Sequence, residues 1–108
     1  MAIKIKKDKY RATRGGTSKI IKLHCSSCSK FLMQYQKDGP GSLLRCYLDR
    51  IMEPAELSSF QEIETFKDIP NLHCHNQDCL ALIGVPMVYE KESRFAFRLI
   101  RGSVCKSN

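Results

Sequence analysis

Two short cysteine loops constrain the fold of this chain more than any other feature of its sequence. Cys25 and Cys28 are separated by two residues, Cys74 and Cys79 by four, and each loop opens with Leu-His-Cys. A structural zinc ion binds four soft ligands in a tetrahedron at roughly 2.3 Å. Because each loop can supply two thiolates, we predict that these four cysteines form one Zn²⁺ site.

Other uses of the cysteines stay open at this point. A four-thiolate site also suits iron, and spacing alone does not separate iron from zinc. A redox pair at Cys25 and Cys28 would be expected to open a helix, whereas the apolar run after Cys28 has the character of a strand. Buried structural thiols are the simplest alternative. We do not expect the remaining cysteines and histidines to bind the metal: Cys46, Cys105, His24, His73 and His75.

The two loops, each lying between extended segments, resemble the zinc-ribbon class of folds. That class has two cysteine knuckles that lead into β-hairpins, and the resemblance covers the four paired cysteines and their flanking strands. It implies a β-rich domain with a structural metal. Two departures stand out. Ser29 and Leu80 replace the glycine that usually follows a knuckle, and the second loop is two residues longer than the first.

The length of the chain and the pattern of its apolar residues predict an α+β fold in one domain. The chain has 108 residues, which suits a single modest core. The predicted zinc-ribbon-like domain covers residues 21–104. A basic arm over residues 1–20 precedes it, with a short strand where Ile3 and Ile5 alternate with lysines. A polar tail over residues 105–108 follows it.

An inserted helix is predicted over about residues 42–60, between the two cysteine loops. Apolar residues recur there at helical spacing and would share one face: Leu43, Leu44, Tyr47, Leu48 and Ile51. Ser42 has the side chain of a good N-cap. Pro54 would end this helix or begin a second short helical turn.

Positive charge is concentrated near the N-terminus. The formal net charge is +7, and residues 1–24 contain eight Lys or Arg against one acidic residue, Asp8. A basic segment attracts polyanions through counterion release, and a tyrosine within it can stack on an unpaired base. We therefore predict that the arm binds nucleic acid, either RNA or a ribonucleoprotein assembly, through Lys4, Lys6, Lys7, Lys9, Tyr10, Arg11, Arg14 and Lys19.

The same arm has simpler interpretations. Residues 11–19 are expected to form a basic loop that turns at Gly15 and Gly16, and such a loop often only aids solubility. The competing hypothesis for function is a protein-interaction module or an accessory subunit of a larger machine, with residues 43–60 as the contact.

Several function classes are not expected. Four cysteine ligands leave no open position on a zinc ion, so we do not expect an enzyme. Residues 37–45 contain glycines before a predicted helix but lack the full phosphate-loop pattern. No run of 18 apolar residues exists, so a membrane span is not predicted. The N-terminus lacks the apolar core of a secretory signal, which makes a cytoplasmic location the expectation.

Overall fold

The fold consists of two four-stranded antiparallel sheets, and a computed structural model describes it over residues 5–107. The first sheet has the strand order β4-β2-β1-β8 and the second has the order β3-β7-β6-β5. The strands are β1 (Ser18–Cys25), β2 (Phe31–Asp38), β3 (Arg45–Tyr47), β4 (Ile51–Glu53), β5 (Leu72–His73), β6 (Leu82–Tyr89), β7 (Arg94–Leu99) and β8 (Val104–Ser107). The helices are short, and the predicted β-rich α+β class is confirmed.

The helical elements lie between and before the strands. There are two short α-helices in the described residues, α1 (Lys9–Thr13) and α2 (Ala55–Ser58). Single 3₁₀ turns cover Leu48–Arg50, Ser59–Glu62, Phe66–Asp68 and Glu90–Glu92. No helix in this part of the chain is long and apolar enough to cross a membrane.

The central hairpin of the first sheet follows the alternation of its side chains. In β1, Ile21 and Leu23 point into the core, and they lie opposite Tyr35 and Met33 of β2. These pairs are almost completely buried. Phe97 of β7 contributes the largest apolar side chain of the second sheet to the same core. Burial of apolar side chains on facing sheets therefore holds the two sheets together.

The predicted helix over residues 42–60 is wrong in its first two thirds. Residues 45–47 form β3 and pair with β7, and residues 51–53 form β4 and pair with β2. Leu44, which the helical pattern placed on a buried face, is 64% exposed. Apart from the 3₁₀ turn at Leu48–Arg50, helical structure begins only at Ala55, after Pro54. Pairing with distant strands outweighs the local helical spacing of the apolar residues.

The N-terminal segment is packed against both sheets. The expected loop over residues 11–19 is shorter than predicted, because α1 extends to Thr13 and β1 starts at Ser18, and the predicted turn at Gly15 and Gly16 lies between them. Asp8 caps α1 by accepting hydrogen bonds from the backbone N–H groups of Tyr10 and Arg11. The strand expected at Ile3 and Ile5 falls partly outside the described residues, and Ile5 itself is not in a strand.

Three arginines tie this segment to the sheets through ion pairs. Arg50 is 1% exposed and donates hydrogen bonds to Asp8 at 2.6 Å and to Asp38 at 2.8 Å. The hydrogen bond from Arg50 lowers the pKa of Asp8 to about 2. Two further arginines share one carboxylate, Glu92: Arg14 donates to it at 2.9 Å, and so does Arg94. Arg94 also donates to Asp49 at 2.6 Å, so each of the three arginines is paired with at least one carboxylate.

The C-terminal residues also take part in a sheet. Residues of β8 pair with β1, and Val104 lies opposite Cys25. The backbone N–H of Ser26 donates to the carbonyl of Ser103 at 3.0 Å. The first cysteine loop is therefore supported on the side that faces β8 as well as by β2.

Candidate metal centre

The fold brings the four paired cysteines into one cluster. Their Sγ atoms all lie within 4.8 Å of one another. The Cys25 and Cys79 sulfurs are 3.7 Å apart, and the Cys28 and Cys74 sulfurs are 3.6 Å apart. A tetrahedron with metal–sulfur bonds of roughly 2.3 Å has edges of about 3.8 Å. Two of the sulfur–sulfur distances match this edge and the others are no longer than 4.8 Å, so the four free thiols could hold one metal ion.

The first loop forms a tight knuckle at the end of β1. The backbone N–H of Cys25 donates to the carbonyl of Lys30 at 2.9 Å, and that of Ser29 donates to the carbonyl of Cys25 at 2.8 Å. Ser29 has a φ of 67°, in the left-handed region that favours glycine. The knuckle keeps its usual backbone turn although a serine occupies the position after the second cysteine.

The second loop repeats this turn with two extra residues. The N–H of Cys74 donates to the carbonyl of Ala81 at 2.8 Å, as Cys25 does to Lys30. The N–H of Leu80 donates to the carbonyl of Asn76 at 3.0 Å, and Leu80 also has a left-handed φ, of 54°. Asn76 thus takes the backbone role of Cys25 in the turn. The second loop can have the longer cysteine spacing because Cys74 and His75 lie before the turn. The turn itself keeps the length of the first one.

The position of the cluster gives a metal a structural task. Cys25 is the last residue of β1 in the first sheet, and Cys74 directly follows β5 in the second. Both are fully buried, whereas Cys28 and Cys79 are half-buried. A metal ion bound to all four would link the two sheets at one end of the domain.

The electrostatics of the cluster favour a bound cation. A hydrogen bond from the Asn76 side chain, assisted by the backbone at Lys30, lowers the pKa of Cys28 to about 6. Burial raises the pKa of Cys74 to about 12. Four thiolates so close together need a compensating positive charge, which a divalent metal supplies. The donor set is soft sulfur throughout, which suits zinc or iron and disfavours magnesium or calcium.

The remaining cysteines and histidines lie outside the sulfur cluster. Cys46 is buried in β3, and burial raises the pKa of its thiol to about 12. Cys105 is exposed, with its sulfur 3.2 Å from the Ser26 hydroxyl. The His73 ring nitrogen Nδ1 lies 3.2 Å from the carbonyl of Leu80. The His24 ring meets Phe31 edge-on, with centroids 5.9 Å apart.

Several residues predicted to bind nucleic acid have partners within the protein. The Lys6 ammonium donates to the carbonyl of Asp49 at 2.6 Å and to the Gln61 side chain at 2.7 Å. The Tyr10 ring is covered by the Arg94 guanidinium, 4.1 Å from its centroid. Arg14, as described above, is paired with Glu92. These side chains hold the segment in place and are not presented together to a ligand.

The other predicted nucleic-acid residues differ in their exposure and in their contacts. Lys7, Lys9 and Lys19 are exposed. The Arg11 Nε donates to the Ser18 hydroxyl at 2.9 Å. Lys4 lies outside the described residues. The role of Asn76 in shaping the second knuckle was not predicted, although its position three residues before Cys79 repeats the spacing of Cys25 and Cys28.

Comparisons of this chain with models of protein families, with curated proteins and with solved structures gave no match. The functional argument therefore rests on the residues and their geometry.

Proposed function

We propose that this protein is a small zinc-stabilised binding module of zinc-ribbon type that associates with nucleic acid. The observation that carries the proposal is the cluster of four cysteine sulfurs, which comes from two knuckles with matching turns. Zinc is preferred to iron because a closed tetrahedral site with no redox task is the usual zinc site. In this proposal Cys25, Cys28, Cys74 and Cys79 hold the ion, and the ion fixes one end of the two sheets.

A closed shell of four thiolates argues against catalysis at the metal. A catalytic zinc keeps one position for water or substrate, and four protein ligands fill all four positions. The proposed contribution of the metal is consequently stability and shape. Binding is then the task of the surface that the metal holds in place.

Charge supports nucleic acid as the partner. The formal net charge is +7, and the three exposed lysines Lys7, Lys9 and Lys19 take part in none of the ion pairs of the described residues. Phosphate contacts by such cations release counterions and provide binding without sequence specificity. We propose RNA or a ribonucleoprotein surface as the natural source of these phosphates.

This proposal predicts binding that weakens steeply with salt. Fluorescence anisotropy with labelled RNA and DNA strands should show a linear fall of log affinity against log salt concentration, with a slope of about −0.7 for each phosphate contacted on a single strand. The zinc-loaded full chain is the sample. Affinity that does not change between low and physiological salt, or no binding to either strand at low salt, would contradict the nucleic-acid part and leave the metal part standing.

A further inference from the structure

Two pairs of like charges face each other across neighbouring strands at the end of β1 that lies opposite Cys25. Lys19 of β1 is directly opposite Lys37 of β2, and Arg45 of β3 is directly opposite Arg98 of β7. Like charges in this arrangement destabilise a sheet by roughly 0.2–1 kcal/mol for each pair. An anion bound close to such a pair would offset part of this repulsion.

A cavity lies between the two sheets at this same end. Its volume is about 250 Å³, and Lys37 and Arg45 both line it, one from each sheet. The loop of residues 39–44 closes one side, and its Leu43 and Leu44 add apolar surface. A space with cations on two walls and apolar side chains between them suits a ligand that is both anionic and flat.

The two lining arginines that belong to the ion-pair network are already neutralised. Arg14 is bound to Glu92, and Arg50 is bound to Asp8 and Asp38. Arg14 and Arg50 therefore form part of the cavity wall but contribute little net positive charge to it. The available positive charge belongs to Lys37 and Arg45, for which no carboxylate partner occurs among the described residues.

Arg45 is held in a fixed orientation by aromatic side chains. Its guanidinium lies 4.3 Å from the centroid of the Tyr89 ring, and its Nε donates to the Tyr47 hydroxyl at 2.9 Å. The contact with Tyr89 occupies one face of the guanidinium, and the hydrogen bond to Tyr47 uses one of its five N–H donors. The other N–H donors belong to the planar guanidinium group, and their geometry matches that of the oxygens of a phosphate.

Lys37 is positioned by the turn that follows β2. Its ammonium donates to the carbonyl of Gly39 at 2.8 Å. Burial, with the nearby positive charge of Lys106, lowers the pKa of Lys37. Gly39 has a φ of +75°, and a Cβ there would lie 2.8 Å from the carbonyl oxygen of Arg14. The turn thus requires glycine, and it packs directly on the end of the N-terminal segment.

From this geometry we propose that the cavity is a binding site for the phosphates of a nucleic-acid strand, with Lys37 and Arg45 as the phosphate ligands and Leu43 and Leu44 as the contacts of a base or sugar. The proposal rests on the nucleic-acid function proposed above and moves the main contact away from the N-terminal arm. One member of each like-charge pair lines the cavity, and a bound phosphate would offset part of the repulsion that it experiences.

The test compares two double variants of equal charge. Lys37→Gln with Arg45→Gln removes the proposed ligands, and Lys67→Gln with Arg101→Gln removes one lysine and one arginine that are exposed elsewhere. Each is titrated against labelled oligouridine and oligodeoxythymidine of about twelve nucleotides. We expect the first variant to bind about tenfold more weakly and its salt slope to fall in magnitude by about 1.4, and we expect the second to stay within about twofold of wild type.

Further measurements distinguish the possible outcomes. If wild type binds neither strand, the proposed function and this site both fail. If wild type binds and both variants bind equally well, the site is wrong and the function stands. Uridine 5′-monophosphate that binds wild type as tightly as the strand does would indicate a free-nucleotide site, against the strand proposal. On the folded wild-type protein, oligouridine should shift the amide NMR signals of Gly39, Gly41 and Leu44, and unchanged signals would overturn the site even if the first variant were unfolded.

Discussion

A strong zinc chelator is expected to abolish the cooperative unfolding transition of this protein at room temperature. Zinc binding by small modules contributes on the order of 10–16 kcal/mol to their folding, whereas a domain of this size is stable by only about 5–15 kcal/mol. Here the ion would join Cys25 of the first sheet to Cys74 of the second. Without it, four thiols lie close together and the sheets lose their link at that end.

Circular dichroism during thermal unfolding, with and without chelator under reducing conditions, measures this effect. Cys74→Ser should reproduce the chelated state without chelator, because a serine is a poor zinc ligand at a buried position. Cys105→Ser is the matched control, since Cys105 is exposed and outside the cluster, and we expect it to unfold as wild type does. A chelated sample that keeps its full melting temperature contradicts a structural metal.

The second large effect is expected from the buried arginine of the ion-pair network. Arg50→Met removes a guanidinium that is 1% exposed and leaves the carboxylates of Asp8 and Asp38 without it. Removal of one partner from a buried ion pair typically costs about 3–5 kcal/mol. We expect a loss of that order in the free energy of unfolding, measured by urea denaturation of the zinc-loaded protein.

Matched variants separate the ion pairs from simple loss of packing. Arg101→Met changes an exposed arginine in a turn and should alter stability by less than about 0.5 kcal/mol. Adding Asp38→Asn to Arg50→Met removes one of the unpaired charges, so the double variant should lose less than the sum of the two single variants. Strict additivity, or a cost below about 1 kcal/mol for Arg50→Met, would show that the network does not anchor the N-terminal segment.

The sequence predicts the parts of this fold that depend on local spacing. The knuckle at Cys25 and Cys28 and its two flanking strands follow from a short loop between alternating apolar residues. The same reasoning fails at residues 45–53. There, the backbone pairs with β7 and β2, and no local pattern reveals those distant partners. Cys46 and Tyr47 illustrate the difficulty, since two adjacent buried residues fit the apolar face of a helix better than a half-exposed strand.

The role of the N-terminal segment could not be predicted from the sequence, for a related reason. Its charges suggested an arm for nucleic acid, yet Asp8 and Arg50 are separated by 42 residues in sequence. The amino-acid composition gives the number of arginines but does not identify the carboxylates with which they pair. The like-charge pair of Arg45 and Arg98 likewise depends on strand register, which only the folded structure provides.

The most direct test of the account is the zinc content of the full chain purified under reducing conditions, determined by elemental analysis together with protein concentration. The account predicts one zinc ion per chain and no iron, with the zinc lost when Cys25 and Cys74 are both replaced by serine. Protein that is folded and monodisperse but carries no metal, or that retains its metal in that double variant, would contradict it.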